Sequence, residues 1–175
     1  MWLNVPYDCG FAFVADPAAH SAAFTQAASY SIAVEGVRDQ RNWNPEWSRR
    51  ARAFPTYVAI RTLGRDGIAR IVERCCAMAE HLTLGIGKLP GAEVLARPQI
   101  IQGLVRFLAE DGDHDRWTEA VVQRIQAEGT AWFGSTTWRG MRVIRISVCN
   151  WRTDEDDIER TIAAVHRALS EANVD

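Results

Sequence analysis

Residues 130–150 carry the pattern of a β-hairpin, and that pattern limits the folds open to this chain of 175 residues. Alanine, tryptophan and phenylalanine lead up to Gly134, and a turn is predicted at 138–140, where arginine and glycine follow a tryptophan. Residues 142–149 then return with apolar side chains at alternate positions. The two segments are therefore predicted to pair as antiparallel strands.

Helical and extended patterns fill the rest of the chain. Apolar residues at helical spacing predict helices over residues 17–28, 45–63, 66–85, 117–127 and 153–169. Short apolar runs predict further strands over residues 11–14, 94–95 and 100–108. Pro55 predicts a kink in the second helix or its division into two consecutive helices. Gly64 predicts the end of that helix, Gly129 the end of the fourth, and Thr153 with Asp156 a capping box before the last. The predicted fold is of the α+β class, a small antiparallel sheet with helices packed on one face.

The chain is expected to have two parts. Residues 1–44 hold the first strand, the first helix and a loop over 31–44, where charged residues follow no period. This part is expected to join a large domain. Residues 45–175 hold the remaining elements and are expected to form a small C-terminal domain.

Charge, hydropathy and cysteine usage exclude several classes of protein. Twenty basic residues against 22 acidic ones give a formal charge of −2, so the overall charge gives no reason to expect nucleic acid as a partner. Charged residues interrupt every apolar run before the roughly 20 residues needed to span a bilayer, and the first ten residues lack the pattern of a signal peptide. The four cysteines form no CxxC pair, which predicts reduced thiols, no metal site and a cytoplasmic protein.

A basic cluster follows Trp47 and Ser48. Arg49, Arg50 and Arg52 stand near the start of a predicted helix, where free N–H groups and the positive end of the helix dipole favour an anion. One interpretation is a phosphate or carboxylate site near Ser48. The other is a solvated basic face or a set of interface salt bridges.

Arg145 is the second candidate binding residue. In the strand pattern of residues 143–148, alternation places Ile144 and Ile146 on one face. Arg145 and Ser147 then share the other face. Because a guanidinium holds a carboxylate through two parallel hydrogen bonds, Arg145 is either a carboxylate-binding residue or an exposed arginine on the solvated face.

Three stretches of the sequence resemble a known family. They read WLNVPYDCGFAFVADP at 2–17, NWNPEWSRRARAFPTYVAIRTLGRDGI at 42–68 and WFGSTTWRGMRVIRISVCNWRTDEDDIER at 132–160. In this order they are similar to three parts of the group II pyridoxal phosphate-dependent amino-acid decarboxylases, which include aromatic-amino-acid, histidine and glutamate decarboxylases. Those parts are the segment after the cofactor lysine, the small-domain helices, and the closing strands with the last helix. The resemblance covers nearly the whole chain and implies the small domain of a fold-type I pyridoxal phosphate enzyme.

The resemblance implies roles for a few positions. In the family, the lysine that binds the cofactor covalently directly precedes the tryptophan that matches Trp2, and Met1 stands in its place here. Trp47 and Ser48 match a stretch that reaches the cofactor phosphate from the neighbouring subunit. Arg145 matches an arginine that meets the substrate carboxylate in glutamate decarboxylase-like members. The large domain that grips the cofactor would lie upstream.

Lysine is the scarcest charged residue of the chain. Nineteen of the 20 basic residues are arginine, so Lys88 is the only side-chain amine. It lies in a Gly-Lys-Leu-Pro-Gly turn, far in sequence from every position that the resemblance assigns. Because pyridoxal phosphate chemistry needs an amine to hold the cofactor aldehyde, the chain alone is predicted to be inactive, with no catalytic residue.

Two functions follow from the resemblance. The first is the C-terminal portion of an amino-acid decarboxylase, a carboxy-lyase that acts when a large domain supplies lysine and cofactor. The second is a non-catalytic remnant or interaction domain that pairs with full-length relatives. The expected partners are that large domain or a full-length homologue, an amino-acid substrate and further copies of the chain, because family members are obligate dimers.

The loop between Tyr30 and Trp43 has no tyrosine that matches the one completing catalysis in aromatic-amino-acid decarboxylases, so decarboxylation and oxidative deamination both stay open.

Overall fold

The computed structural model of the protein describes residues 2–26 and 36–170. The chain divides into two compact units, one formed by Met1–Asn4 with Thr62–Asp175 and the other by Val5–Arg61. We call them the sheet unit and the N-terminal unit. The domain boundary predicted after residue 44 stays a prediction.

Helices and strands follow each other in a simple order. The helices are α1 (Pro17–Phe24), α2 (Phe54–Gly87), α3 (His114–Glu128) and α4 (Glu155–Ser170), with a short 3₁₀ turn at Gln40–Trp43. The strands are β1 (Ala92–Ala96), β2 (Gln102–Phe107), β3 (Gly134–Trp138) and β4 (Met141–Ser147). The four strands form one antiparallel sheet in the order β1-β2-β4-β3.

The predicted hairpin is confirmed as the pair β3–β4. Its two turn residues, Arg139 and Gly140, have φ angles of 50° and 79°. A two-residue connection with positive φ at both positions matches the twist of the strands that it joins, and glycine adopts that angle without strain. Trp138 therefore pairs with Met141 directly across the turn.

The hydrophobic core lies on one face of the sheet. Val105 and Phe107 of β2 and Ile144 and Ile146 of β4 are fully buried there beneath the helices. The Thr118 hydroxyl of α3 accepts a hydrogen bond from the buried N–H of Phe107 at 3.0 Å, which joins the helix layer to the sheet. The prediction of an α+β fold with helices on one face of a small antiparallel sheet is confirmed.

Helix α2 corrects one prediction and confirms another. The helix predicted from residue 45 begins at Phe54, because Pro55 takes a position in the first turn, where its missing N–H has no partner to lose, and does not kink a longer helix. The break predicted at Gly64 is confirmed, since its φ of 62° and ψ of −176° are not helical. Gly129, with a φ of 81°, ends α3 as predicted.

Two further local predictions are wrong. Residues 11–14 form no strand, and Phe13 is 95% exposed. The capping box of α4 is formed by Asp154 and Asp157, each accepting a hydrogen bond from the backbone N–H of the other at 2.9 and 3.2 Å, and not by the predicted Thr153 and Asp156. Helix α1 ends at Phe24, and the end predicted near residue 28 lies outside the described residues.

Candidate functional site

Strand β4 places Arg145 on the face of the sheet that the helices leave uncovered. Its neighbours Ile144 and Ile146 are fully buried, whereas Arg145 is exposed, as the alternation in the sequence predicts. Across the sheet, Arg145 pairs with Leu104 of β2 on one side and with Gly134 of β3 on the other. Arg145 therefore lies on an inner strand of the sheet, between β2 and β3.

A cleft of about 500 Å³ opens beside Arg145. It is lined by Trp132, Phe133, Gly134, Ser135, Thr136, Arg145 and Ser147. Gly134 keeps this cleft open, because no atom lies within 4 Å of the place where a side chain would begin. Trp132 is 77% exposed at its rim. We call this feature the Arg145 cleft.

The charge of Arg145 is not neutralised within the described part of the chain. Two other sheet arginines have carboxylate partners: Arg106 contacts Glu93 at 2.6 Å, and Arg142 contacts Glu119 at 2.8 Å. No such contact forms at Arg145 among residues 2–26 and 36–170. A guanidinium that is exposed, unpaired and next to a cleft has the donors needed to bind a carboxylate in two parallel hydrogen bonds.

Register decides which other groups join this cleft. Ser147 shares the face of Arg145, as strand alternation predicts. Trp132, Gly134 and Thr136 were not among the predicted site residues. The pairing of Gly134 with Arg145 brings them there. The hairpin pattern in the sequence could have predicted this pairing, because a two-residue turn at residues 139–140 fixes which residues of the two strands lie opposite each other.

The N-terminal unit holds Trp47 and Ser48, the other predicted site residues. Ser48 is exposed in irregular chain, and the next helix begins only at Phe54. The prediction that Ser48 lies at a helix N-terminus is therefore wrong. Trp47 is half-buried, with the Arg41 guanidinium carbon 5.5 Å from its ring centroid. These two residues and Arg145 belong to different units, and the predicted phosphate contact of Trp47 and Ser48 stays a prediction.

The arginines next to Ser48 are largely occupied within their own unit. Arg49 donates to the backbone carbonyls of Glu46 and Trp47 at 2.7 and 3.2 Å. Arg52 lies 3.3 Å from a Glu46 carboxylate oxygen, and Arg50 and Arg52 lie 3.7 and 3.8 Å from Asp8. These contacts lie within the chain, so they do not test the predicted interface salt bridges, and the anion site near Ser48 stays a prediction.

Met1, which stands at the predicted lysine position, lies outside the described residues. Lys88 is exposed just after α2, where its backbone N–H donates to the Gly85 carbonyl at 3.2 Å. Among the described residues, no three His, Cys, Asp or Glu side chains are grouped so that they hold a metal ion. No helix within the described ranges is long and apolar enough to cross a membrane.

Solved structures with the same fold define the class of protein. A structure of Oryza sativa TDC with PLP and tryptamine superposes with a TM-score of 0.73 at 16% identity, covering 87% of this chain and 33% of that one. Mouse CSAD gives a TM-score of 0.70 at 16% identity, over 87% of this chain and 34% of that one. The sheet and helices of this chain thus have the fold of fold-type I pyridoxal phosphate decarboxylases.

The chain belongs to the pyridoxal-dependent decarboxylase family, whose conserved domain matches residues 1–110. It is 26% identical to an aromatic-L-amino-acid decarboxylase of Drosophila lebanonensis over 97% of this chain and 42% of that protein. It is 24% identical to an aromatic-L-amino-acid decarboxylase of Bacillus atrophaeus, over 99% of this chain and 38% of that protein. A 3,4-dihydroxyphenylacetaldehyde synthase of Drosophila melanogaster is 28% identical over 70% of this chain and 23% of that protein. The chain thus spans about two fifths of the length of the first two relatives, and the family implies pyridoxal phosphate as the cofactor.

Proposed function

We propose that this chain is the C-terminal portion of a pyridoxal phosphate-dependent amino-acid decarboxylase, a carboxy-lyase, and that Arg145 binds the substrate carboxylate. The observation that carries the proposal is the exposed guanidinium of Arg145, which has no carboxylate partner within residues 2–26 and 36–170, beside the open space over Gly134. Arg145 would hold the carboxylate through two hydrogen bonds and so orient the substrate. The Ser147 and Thr136 hydroxyls, which line the same cleft, would supply further donors.

The residues present in this chain do not fit covalent attachment of the cofactor. Lys88 is the only lysine, and it is exposed in a turn. This turn belongs to the sheet unit, whereas the predicted cofactor contacts Trp47 and Ser48 belong to the N-terminal unit. We therefore propose that the lysine and most of the cofactor grip come from polypeptide outside these 175 residues. When bound, pyridoxal phosphate supplies an electron sink for the bond that breaks. Trp47 and Ser48 are proposed to approach its phosphate.

Exposed apolar side chains of the N-terminal unit support a partner. Tyr7, Phe13, Phe54 and Tyr57 are between 60 and 95% exposed, and covering their apolar surface with another protein would be favourable. We propose that a large domain or a second copy of the chain covers them, and that the separate chain self-associates. Free cysteines within the described residues accord with a cytoplasmic location.

The proposed role of Arg145 is tested in an enzyme reconstituted with a lysine-bearing large domain. We expect Arg145→Ala to lower kcat/KM at least 100-fold while leaving the circular dichroism and unfolding midpoint unchanged. Arg139→Ala is the matched control, because Arg139 is an arginine of the same hairpin whose guanidinium lies over Trp138 and outside the cleft. Unchanged turnover in the Arg145→Ala enzyme would remove Arg145 from the site.

A non-catalytic interaction domain is the alternative, favoured by the single lysine. Borohydride reduction of the separate chain with pyridoxal phosphate, followed by peptide mapping, tests whether the chain has cofactor chemistry of its own. We expect no stoichiometric adduct. A stoichiometric adduct on Lys88 would contradict the proposal that the lysine comes from outside the chain. Reconstitution that restores turnover would reject the non-catalytic alternative.

A further inference from the structure

A closed ring of three hydrogen bonds joins helix α3 to both strands of the hairpin. The Arg142 Nε of β4 donates to Glu119 Oε2 of α3 at 2.8 Å, and its Nη2 donates to Ser135 Oγ of β3 at 2.7 Å. The Ser135 hydroxyl closes the ring by donating to Glu119 Oε2 at 2.8 Å. The backbone N–H of Arg142 also donates to Asp115 Oδ1 at 2.8 Å, which ties β4 to the first turn of α3.

The donors and acceptors of this ring match one another. The serine hydroxyl has one proton, which it gives to Glu119 while its oxygen accepts from Arg142. Both bonds end on one oxygen of the Glu119 carboxylate, and the ionised form accepts them more strongly than the neutral form. The hydrogen bond from Ser135, and next that from Arg142, holds the pKa of Glu119 below its usual value.

The ring lies next to the Arg145 cleft. Gly134, which pairs with Arg145, directly precedes Ser135, and both line the cleft. Strand β3 is an edge of the sheet, paired with β4 alone among the described strands. An edge strand forms backbone hydrogen bonds with a neighbouring strand on one side only. Side-chain hydrogen bonds to the helix layer therefore contribute more to its position than they do for an inner strand.

We propose that Glu119 is a positioning residue for the Arg145 cleft. Through Arg142 and Ser135 it holds β3 against β4 and α3, and this sets the distance between the β3 wall of the cleft and the guanidinium. Glu119 itself lies outside the lining of the cleft. This inference rests on the proposed role of Arg145 in binding a carboxylate.

The test uses the full chain with Glu119→Ala. Glu93→Ala is the matched control. Glu93 lies on β1, the edge strand opposite β3, and its carboxylate forms an ion pair at 2.6 Å with Arg106 of β2. Amide hydrogen exchange over residues 134–138 reports on β3. The Arg145 Nε–H signal in NMR spectra, titrated with acetate as the carboxylate probe, reports on the cleft.

We expect Glu119→Ala to speed exchange over residues 134–138 at least fivefold and to weaken acetate binding at Arg145 severalfold. Glu93→Ala should change neither quantity. Glu119→Gln keeps the shape and one acceptor, so it should give a smaller change in the same direction and serves if the alanine variant unfolds. The inference would be overturned if amide exchange over β3 in both Glu119 variants were as slow as in the wild-type chain. It would also be overturned if exchange became faster while acetate binding stayed unchanged. If acetate does not move the Arg145 signal of the wild-type chain, the carboxylate role of Arg145 is wrong, and the exchange rates then decide separately whether Glu119 holds β3.

Discussion

Gly103 of β2 leaves the space that the side chain of Thr83 fills. Thr83 is fully buried on α2, and its Oγ1 donates to the Ala79 carbonyl at 2.7 Å. A Cβ atom on Gly103 would lie 2.3 Å from that oxygen and 2.8 Å from the Thr83 methyl carbon. Helix and sheet therefore approach each other at a distance that a residue without a side chain permits.

The first prediction concerns this contact. Gly103→Ala should destabilise the chain by about 1–3 kcal/mol, since an added methyl group in a close-packed site forces its neighbours apart. Urea unfolding measures the change in free energy. Gly134→Ala is the control, because nothing lies within 4 Å of its Cβ position, and it should leave stability unchanged or slightly raised. In a chain that already carries Thr83→Ala, Gly103→Ala should cost less unfolding free energy than in the wild-type chain. Equal losses in the two backgrounds would contradict the packing argument.

The second prediction concerns the start of α4. The carboxylates of Asp154 and Asp157 each accept the backbone N–H of the other residue, so Asp154→Ala removes a cap and should cost about 1 kcal/mol of unfolding free energy. Asp156→Ala, in the same exposed first turn, is the control and should cost less. Equal losses in the two variants, measured by urea unfolding, would mean that charge near the helix end, and not the reciprocal cap, stabilises α4.

The third prediction concerns the adjacent cysteines of α2. Cys75 is 1% exposed, and burial raises the pKa of its thiol, whereas its neighbour Cys76 is half-buried. Because the thiolate is the reactive form and needs access to the reagent, iodoacetamide at pH 8 should label Cys76 well before Cys75. Peptide mapping at timed intervals measures both rates. Equal rates in the folded chain would show that α2 opens locally at this turn.

The fourth prediction concerns acid sensitivity. Since the pKa of Glu119 is lowered in the folded chain, its ion pair contributes stability above the ordinary glutamate pKa, and this contribution is lost as the pH falls through the lowered value. The difference in unfolding free energy between the wild-type chain and Glu119→Gln should therefore be constant near neutral pH and shrink towards zero in acid. Urea unfolding at a series of pH values measures it. A difference that does not change with pH would show that the ionised carboxylate is not what stabilises the hairpin.

Much of the sheet unit could be predicted because its signals are local. The turn predicted at residues 138–140, the helix break at Gly64 and the helix end at Gly129 depend on φ angles that neighbouring residue types favour. The exposure of Arg145 follows from a strand period of two between buried isoleucines. Each of these predictions needed only a few adjacent residues.

The predictions that failed lie where a segment has weak local preference. Residues 11–14 are apolar enough for a strand, but a strand forms only when another strand offers its ladder, and none of the described strands pairs with them. The helix predicted from residue 45 begins at Phe54, because Pro55 suits a first turn better than an interior and the arginines before it bond instead to Glu46 and Asp8.

The sequence by itself determined the fold class, the family and the face of β4 on which Arg145 stands, because periodicity and family-specific stretches are read along the chain. Only the tertiary structure decided that Thr83 packs onto Gly103 and that Glu119 closes a ring with the hairpin. These contacts join residues that are far apart in sequence, and their geometry depends on strand register and on the packing of helices against the sheet. The packing of helices against the sheet is encoded in no short stretch of residues, so these contacts are properties of the folded chain.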